Sequence, residues 1–328
     1  MSLTTTPVRQ YTDPEVFGRE RSAIFATSWL FLGLEADLVR PGDYLADTLA
    51  DFPVVVVRDA AGQLRGFHNV CRHRAGPLVG DGKGRCDREF VCRYHAWRYG
   101  FDGQLIATED FPPAPNASAS QHSLFPIRVE SWRGFVFVNL DLDAKPLLEA
   151  LGPLDRLFGA HKTPPARVQH GHAIACNWKV YVENILDGYH LEGVHPVLAA
   201  KAGDQRHDIS IEGQVAVGDS RGDEQGFWAW VWPNLGFYLH YGVLLIEHVR
   251  PESATRMRSE HIYLHQPEDP GVDAAMAAAE RIFDEDAWVC ELVQRNLAAG
   301  VFREGVLSPA HDGAVAWFGA RVDQALAG

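Results

Sequence analysis

The 328-residue sequence has no apolar run of 18 residues, which excludes a membrane-spanning helix of ordinary length. Its opening, Met1-Ser2-Leu3-Thr4-Thr5-Thr6, lacks the basic and apolar stretches of a secretory signal. Basic residues are scarce, 30 against 43 acidic ones, for a net charge of −13. A surface this negative repels polyphosphate and anionic lipid, so nucleic acid and membrane surfaces are excluded as natural partners. Five cysteines, an odd number at irregular spacing, do not form a disulfide framework, and a reducing cytoplasm is the expected setting. No Gly-x-Gly-x-x-Gly follows a strand pattern, so the chain has no flavin or nicotinamide fingerprint of its own. The clustered cysteines of a plant-type ferredoxin are missing too.

What is present is ordinary globular composition, 46% hydrophobic and 22% charged, at a length that suggests two domains. Asp13-Pro14-Glu15 supplies a cap, a first-turn proline and an acidic first turn, predicting a helix to about Thr27. From Trp29 to Asn139, short apolar stretches alternate with turns such as Pro41-Gly42-Asp43, Asp59-Ala60-Ala61-Gly62 and Phe101-Asp102-Gly103, the pattern of a small all-β module. Beyond Lys145, helices are expected over Leu147–Phe158 and Asn177–His190, and strands over Phe227–Trp232, Phe237–Val243 and Arg256–Gln266. Two further helices are expected over Asp273–Ala299 and over Ser308–Ala327, the last capped by Ser308-Pro309. Strands followed by a long helix give an α+β domain, helix packed on an antiparallel sheet.

Two patterns carry chemistry. Cys71-Arg72-His73 and Cys92-Arg93-Tyr94-His95 each place one thiol and one imidazole at a turn, with residues 74 to 91 between them. Structural zinc prefers paired ligands two residues apart, with the histidines together on a helix. One Cys and one His from each of two loops suit an iron–sulfur cluster instead, one iron on Cys71 and Cys92 and the other on His73 and His95. A single such pair would read as a buried thiol and imidazole that never meet; two pairs at this spacing do not. Cys86, Cys176 and Cys290 read as small hydrophobes.

The second pattern lies in residues 177–196. Asp187 and His190 are three apart and share a helix face, with Glu183 one turn back. His195 would point away in a regular helix, but Gly193 and Pro196 loosen or end the helix and let both imidazoles converge on one metal from a distorted helix end. Such a site needs a carboxylate from elsewhere, and the residues alone offer many.

The segment Cys71–Leu105, with Trp97, Gly103 and Leu105 in their usual places, resembles a Rieske [2Fe-2S] motif. It departs from it at Arg93, where proline is common, and at Ala96, where glycine is. Asn177-Trp178-Lys179, Glu183-Asn184, Asp187-Gly188-Tyr189-His190 and His195-Pro196 resemble the catalytic-iron segment of Rieske non-haem iron oxygenase α subunits. The resemblance covers almost the whole chain. It implies a [2Fe-2S] cluster on Cys71, His73, Cys92 and His95, and a mononuclear Fe(II) held by His190 and His195. It also implies that Asp187 links the two centres. The third iron ligand is carried to Asp286, within Glu285-Asp286-Ala287-Trp288-Val289-Cys290-Glu291, with Asp284 as the alternative. The implied architecture is an N-terminal helical segment (1–37) packing with the catalytic domain, a Rieske domain (38–145) and a helix-grip-like catalytic domain (146–328).

The implied activity is that of a terminal oxygenase that uses O₂ and electrons from a separate flavin- or ferredoxin-type reductase, assembled as a homotrimer. The substrate is expected to be a small organic molecule, taken as aromatic, with mono- or dioxygenation both open. The alternative is a choline- or betaine-like quaternary amine, hydroxylated or N-demethylated; Cys290-Glu291-Leu292-Val293-Gln294-Arg295 somewhat resembles that branch. The non-enzyme alternative is a Rieske electron carrier with a binding domain. Trp228, Trp230 and Trp232 recur at period two, so they share one strand face, either in the core or lining the pocket.

Overall fold

In the computed structural model, residues 4–108, 122–187, 189–202, 209–220, 226–240, 242–268 and 271–328 are described. Gly188 of the Asp-Gly-Tyr-His segment lies outside them. The chain forms two compact units, Phe25–Leu147 and Met1–Ile24 with Leu148–Gly328. Among the described residues no helix is long and apolar enough to cross a membrane.

Helices α1 (Arg9–Thr12) and α2 (Pro14–Glu20) open the chain, and a π-helical turn, Arg21–Phe25, extends α2. The Asp13 carboxylate caps α2 by accepting the Glu15 N–H at 2.9 Å, as the sequence pattern predicts.

The first unit is all-β. Its strands are β1 (Leu30–Leu34), β2 (Asp43–Leu49), β3 (Phe52–Arg58), β4 (Leu64–His68), β5 (Gly82–Arg85), β6 (Phe90–Val91), β7 (Arg98–Tyr99), β8 (Leu105–Ala107), β9 (Pro126–Trp132) and β10 (Phe135–Asn139). They form an antiparallel sheet in the order β1-β10-β9-β4-β3-β2-β5, and β6-β7-β8 form a small second sheet. The N-terminal boundary differs from the expected residue 37. Because β1 pairs with β10, the segment grouped with the helical unit ends at Ile24. Gly42 illustrates why these turns need glycine: its φ is +88°, and a Cβ there would sit 1.9 Å from the Cys86 carbonyl oxygen. The core of the module joins Val55, Val57, Phe67, Phe90 and Tyr99 to Cys71 and Cys92, so packing itself draws the two thiols together.

The second unit continues with α3 (Leu147–Phe158), β11 (Ala166–Ile174), α4 (Trp178–Leu186), α5 (Leu191–Val194) and α6 (Pro196–Ala202). It then runs through β12 (Ile209–Glu212), β13 (Val215–Ser220), β14 (Gly226–Val231), β15 (Leu235–His240), β16 (Val243–Ser253) and β17 (Arg256–His265) to α7 (Val272–Ala298) and α8 (Gly313–Ala327). The sheet order is β11-β17-β16-β15-β14-β13-β12, antiparallel throughout. Strands β11, β12, β13 and β16 are absent from the sequence expectations. Val168-Gln169-His170-Gly171-His172 reads as polar loop, and β16 opens on an unbroken apolar run, Val243–Ile246, and continues with charged residues, so it shows no clean alternation. Helix α8 starts at Gly313 rather than at Ser308, because the Ser308 N–H donates to the Asp312 carboxylate at 2.6 Å and closes a turn first.

Register defines the two faces of this sheet. Val168, Tyr263, Leu245, Tyr238 and Trp228 lie directly across from one another, and the next row is His170, His261, Glu247, Gly236 and Trp230. This face receives α7 through Val272 and Phe283, and α4 through Tyr181, whose hydroxyl donates to Glu247 at 2.8 Å. The opposite face packs on Phe158 of α3 through Phe227 and Phe237.

The start of α4 is fixed by buried polar groups. Asn177 caps the helix by accepting the Lys179 N–H at 2.9 Å and donates to the Ala254 carbonyl at 2.7 Å. The Lys179 ammonium donates to Glu20 at 2.5 Å and to the Asn177 side chain at 3.0 Å, while the Trp178 indole N–H donates to the other Glu20 oxygen at 2.8 Å. Glu20 and Lys179 are fully buried. The Asn-Trp-Lys segment is therefore an anchor between α2 and α4. Glu183, one turn on, accepts the Tyr11 hydroxyl, and burial pushes its carboxyl up to about 7.

Removing one member of a buried ion pair strands the other charge, which costs about 3–5 kcal/mol. Glu20→Ala is expected to destabilise the α2–α4 unit by that amount, read as a large downward shift of its chemical-denaturation midpoint. Glu20→Ala combined with Lys179→Met should recover much of the loss; failure of the double variant to recover would show that the charge pairing is not the source of the cost.

Candidate metal centres

In the β module, two tight loops repeat one hydrogen-bond pattern. Cys71 N–H donates to the Gly76 carbonyl and Ala75 N–H to the Cys71 carbonyl; Cys92 N–H donates to the Trp97 carbonyl and Ala96 N–H to the Cys92 carbonyl. Ala75 and Ala96 occupy matching positions with φ of +54° and +55°. Ala96, the departure from the Rieske pattern, thus sits in the left-handed conformation that a glycine adopts without strain. The loop shape is kept despite the substitution.

The loops bring all four predicted residues together. The thiols of Cys71 and Cys92 are buried, and the His73 and His95 rings lie 4.5 Å apart and only half-buried. Gly76 permits the approach, since a Cβ there would meet the Cys92 sulfur at 3.1 Å. Trp97 stacks on His73 at 4.8 Å and 7°. The Tyr99 hydroxyl accepts the Arg72 N–H at 3.1 Å, which leaves its proton for the Cys71 sulfur 3.3 Å away. Burial and the neighbouring Cys71 push the Cys92 thiol up, against the backbone N–H groups of Tyr94 and His95 that face its sulfur. Two thiols with N–H and O–H donors aimed at their sulfurs, opposite two surface-facing imidazoles, fit a Rieske cluster and not a dry core.

In the helical unit, α4 ends at Leu186, earlier than the expected His190. Asp187 is its C-cap; His190 and His195 cap the two ends of the one-turn α5, and Pro196 opens α6. The convergence expected from Gly193 and Pro196 is thus achieved by breaking the helix, not by distorting it. Asp286 comes from α7. Its Oδ1 lies 2.9 Å from His195 Nε2 and 3.4 Å from His190 Nε2, and it accepts the Asn184 side-chain N–H at 2.6 Å. The three side chains each offer one donor atom, all within 4.8 Å of one another. Two imidazoles and one carboxylate on one side of a site are the donor set of a non-haem Fe(II) centre with open positions.

Asp284, the alternative ligand, is excluded by geometry: its side chain is 72% exposed and its nearest imidazole is His172, at 3.9 Å. The structure also supplies residues the sequence reading missed. Glu285 Oε2 lies 2.6 Å from His195 Nδ1, an outer carboxylate that fixes the ring with Nε2 toward Asp286. Asn184 does the same for Asp286. Both stand within quoted segments, and only the helix contacts give them roles. Asp187 lies 3.7 Å from His190 Nδ1 and accepts the Tyr189 N–H at 2.6 Å.

Comparison with known proteins decides the family. Residues 28–124 match the Rieske [2Fe-2S] domain, and residues 156–218 and 212–328 match the catalytic domain of the ring-hydroxylating α subunit. The chain belongs to the Rieske non-haem iron oxygenases. It is 31% identical over 326 residues to the chloroplastic choline monooxygenase of Beta vulgaris, covering 92% of this chain and 72% of that one. It is 28% identical over 325 residues to the carnitine monooxygenase oxygenase subunit of Escherichia coli K12, covering 91% and 86%. Among solved structures, a quaternary ammonium Rieske monooxygenase, described with carnitine oxidation and inter-subunit electron transfer, superposes with a TM-score of 0.85 at 26% identity, covering 98% and 95%. As a Rieske oxygenase, the enzyme uses a [2Fe-2S] cluster and a mononuclear iron.

The charge environment of the His190–His195–Asp286 cluster makes a pH prediction. Burial lowers the basicity of His190, but the Asp187 and Asp286 carboxylates outweigh it and raise the imidazole to about 9. At neutral pH a divalent cation must therefore displace a proton. Fe(II) affinity of the oxygenase should rise as pH climbs toward 9, with protons released as iron binds, since the carboxylates raise the His195 imidazole as well. Calorimetric titration in buffers of different ionisation enthalpy measures this release; pH-independent affinity without proton release would contradict the geometry.

Proposed function

We propose that this oxygenase inserts oxygen into a C–H bond of a small quaternary ammonium compound of the choline, betaine or carnitine kind. This replaces the aromatic-ring expectation with its alternative, because the relatives are named for choline and carnitine. The observation that carries it is the row of aromatic side chains on the sheet face that receives α4 and α7. Trp228 and Tyr238 are direct cross-strand neighbours, and Trp230 lies beside them. Gly218 and Gly236 leave space for those rings, since a Cβ would fall 1.8 Å from the Trp228 indole nitrogen and 2.8 Å from the Tyr238 ring. Aromatic faces attract a quaternary ammonium without hydrogen bonds. The anionic Glu247 and Asp286 on the same side favour a cation over a neutral ring. Trp232 takes no part: it packs on Phe318 and beneath the Arg321 guanidinium of α8.

Cys71, Cys92, His73 and His95 hold the cluster in this reading, and His190, His195 and Asp286 hold the iron. The cluster supplies single electrons and the iron supplies the place where O₂ is reduced; the sum is one C–H, one O₂, two electrons and two protons to one C–OH and one water. Glu285 orients His195, and Asn184 orients Asp286. Asp187, half-exposed beside His190, is the hydrogen-bonding bridge toward a cluster histidine of a neighbouring subunit, in a homotrimer fed by a separate flavin- or ferredoxin-type reductase.

The substrate test is O₂ uptake coupled to product formation, with choline, betaine and carnitine set against naphthalene. Trp228→Ala should raise KM for the ammonium substrate by up to about 30-fold, the equivalent of about 2 kcal/mol of cation–π attraction, with kcat and melting temperature little changed. Turnover of naphthalene alone would overturn the reading. For the metal ligands, His73→Ala should abolish the Rieske EPR signal and leave the helical unit folded. Asp286→Asn should lose the mononuclear iron while Asp284→Asn keeps it, and Asp187→Ala should retain both metals but turn over slowly. Full coupled activity of Asp187→Ala would remove the bridging role.

A further inference from the structure

Of the histidines without a role in the two centres, three converge elsewhere. His170 and His172 stand two apart on edge strand β11, hence on one face, and His261 lies on the adjacent β17, directly across from His170. All three surround one carboxylate, Glu280 of α7. His172 Nε2 is 2.6 Å from Glu280 Oε2, His261 Nδ1 is 3.2 Å from Oε1, and His170 Nδ1 is 3.9 Å from Oε2. His172, His261 and Glu280 each offer a donor atom, all within 4.8 Å of one another.

The arrangement repeats the iron triad. In each, two imidazole rings stand 5.2 Å apart and share one carboxylate of α7. In each, the histidine deeper in the fold has its far nitrogen held by an outer polar group. His195 uses Glu285; His261 Nε2 is 2.9 Å from the Ser259 hydroxyl and 3.6 Å from Glu247. The shared carboxylate is braced as well. Glu280 accepts the Tyr263 hydroxyl at 2.5 Å, as Asp286 accepts Asn184. Outer-shell partners of this kind orient ligands and distinguish a built metal site from a chance meeting of side chains. His261 is fully buried and His172 is half-buried, so the site is rigid on one side and open on the other.

We propose that His172, His261 and Glu280 form a second metal site, separate from the iron centre, that takes a divalent cation of the zinc class, with His170 within reach as a fourth ligand. Two or three imidazoles and one carboxylate, with no thiolate, match the ligand preferences of Zn(II) in four-coordination. Glu280 precedes Asp286 by six residues, so the cation would sit roughly 9 Å along α7 from the iron ligand. It would join two neighbouring strands to α7, and so fix the helix that delivers Asp286. The role is positional and needs no redox chemistry.

The test uses the full chain with cluster and mononuclear iron already loaded. Calorimetric titration with Zn(II) should show one equivalent bound, matched by one zinc per chain after dialysis. Glu280→Gln and His172→Gln each should weaken that binding at least tenfold. His172 stands half-buried on an edge strand, so its variant keeps the fold; an unchanged cluster spectrum checks this. Asp286→Asn, which disables the iron site, should leave the zinc equivalent intact. The absence of a zinc equivalent in the iron-loaded protein would overturn the proposal, leaving a hydrogen-bonded cluster only. So would zinc binding that survives both Glu280→Gln and His172→Gln, or that disappears with Asp286→Asn.

Discussion

The ammonium of Lys179 and the carboxylate of Glu20 meet in a space from which water is excluded, and the placement of the His190, His195 and Asp286 cluster depends on that pair. A charge in such surroundings is tolerated only when its partners are all in place. Asn177, Trp178 and Glu20 supply them, and Gln294 ties the same corner to α7 by accepting the Asn177 N–H and donating to the Tyr11 carbonyl. The start of α4 is therefore locked to α1, α2 and α7. From that fixed origin, nine residues of helix lead to Asp187 and the broken segment that presents His190 and His195. Any other pairing strands a buried charge, so the register of α4 is specified more tightly than apolar packing alone would fix it.

Helix α7 is the second structural constraint. Over 27 residues it contributes Glu280, Glu285 and Asp286 to imidazoles, Gln294 to the α4 cap, and Phe283 to the sheet. Glu285 and Asp286 follow Glu280 by five and six residues, so the carboxylates are spread around the helix and reach different imidazoles rather than forming one stripe. A buried carboxylate is costly unless it is paired; Asp286 is buried, and it, Glu280 and Glu285 are each paired with histidine. The net charge of −13 describes the surface and carries no such information about the interior.

The β module solves a different problem. Cys71 and Cys92 belong to the apolar core, whereas His73 and His95 are only half-buried, so each loop must turn between them within a few residues. Both loops do so with an alanine in the left-handed region, at a cost of about 1 kcal/mol or more each that the surrounding hydrogen bonds hold in place.

That Cys71, His73, Cys92 and His95 meet, and that His190, His195 and Asp286 meet, could be read from the sequence because each group stands in short local patterns with few alternative readings. Helices α3 and α7 were legible for the same reason, since amphipathic periodicity is a local property. Edge strand β11, strand β16 and the late start of α8 were not, because their conformations are set by neighbours distant in sequence. Asp284 and Asp286 differ only in where they fall around one helix; the packing of α7 turns the first to solvent and the second to the imidazoles. Glu20, Glu285 and the convergence of His170, His172 and His261 on Glu280 were beyond sequence reading altogether. Pairings between different elements leave no mark in composition or spacing, and exist only once the sheet has set its register and the helices have been laid upon it.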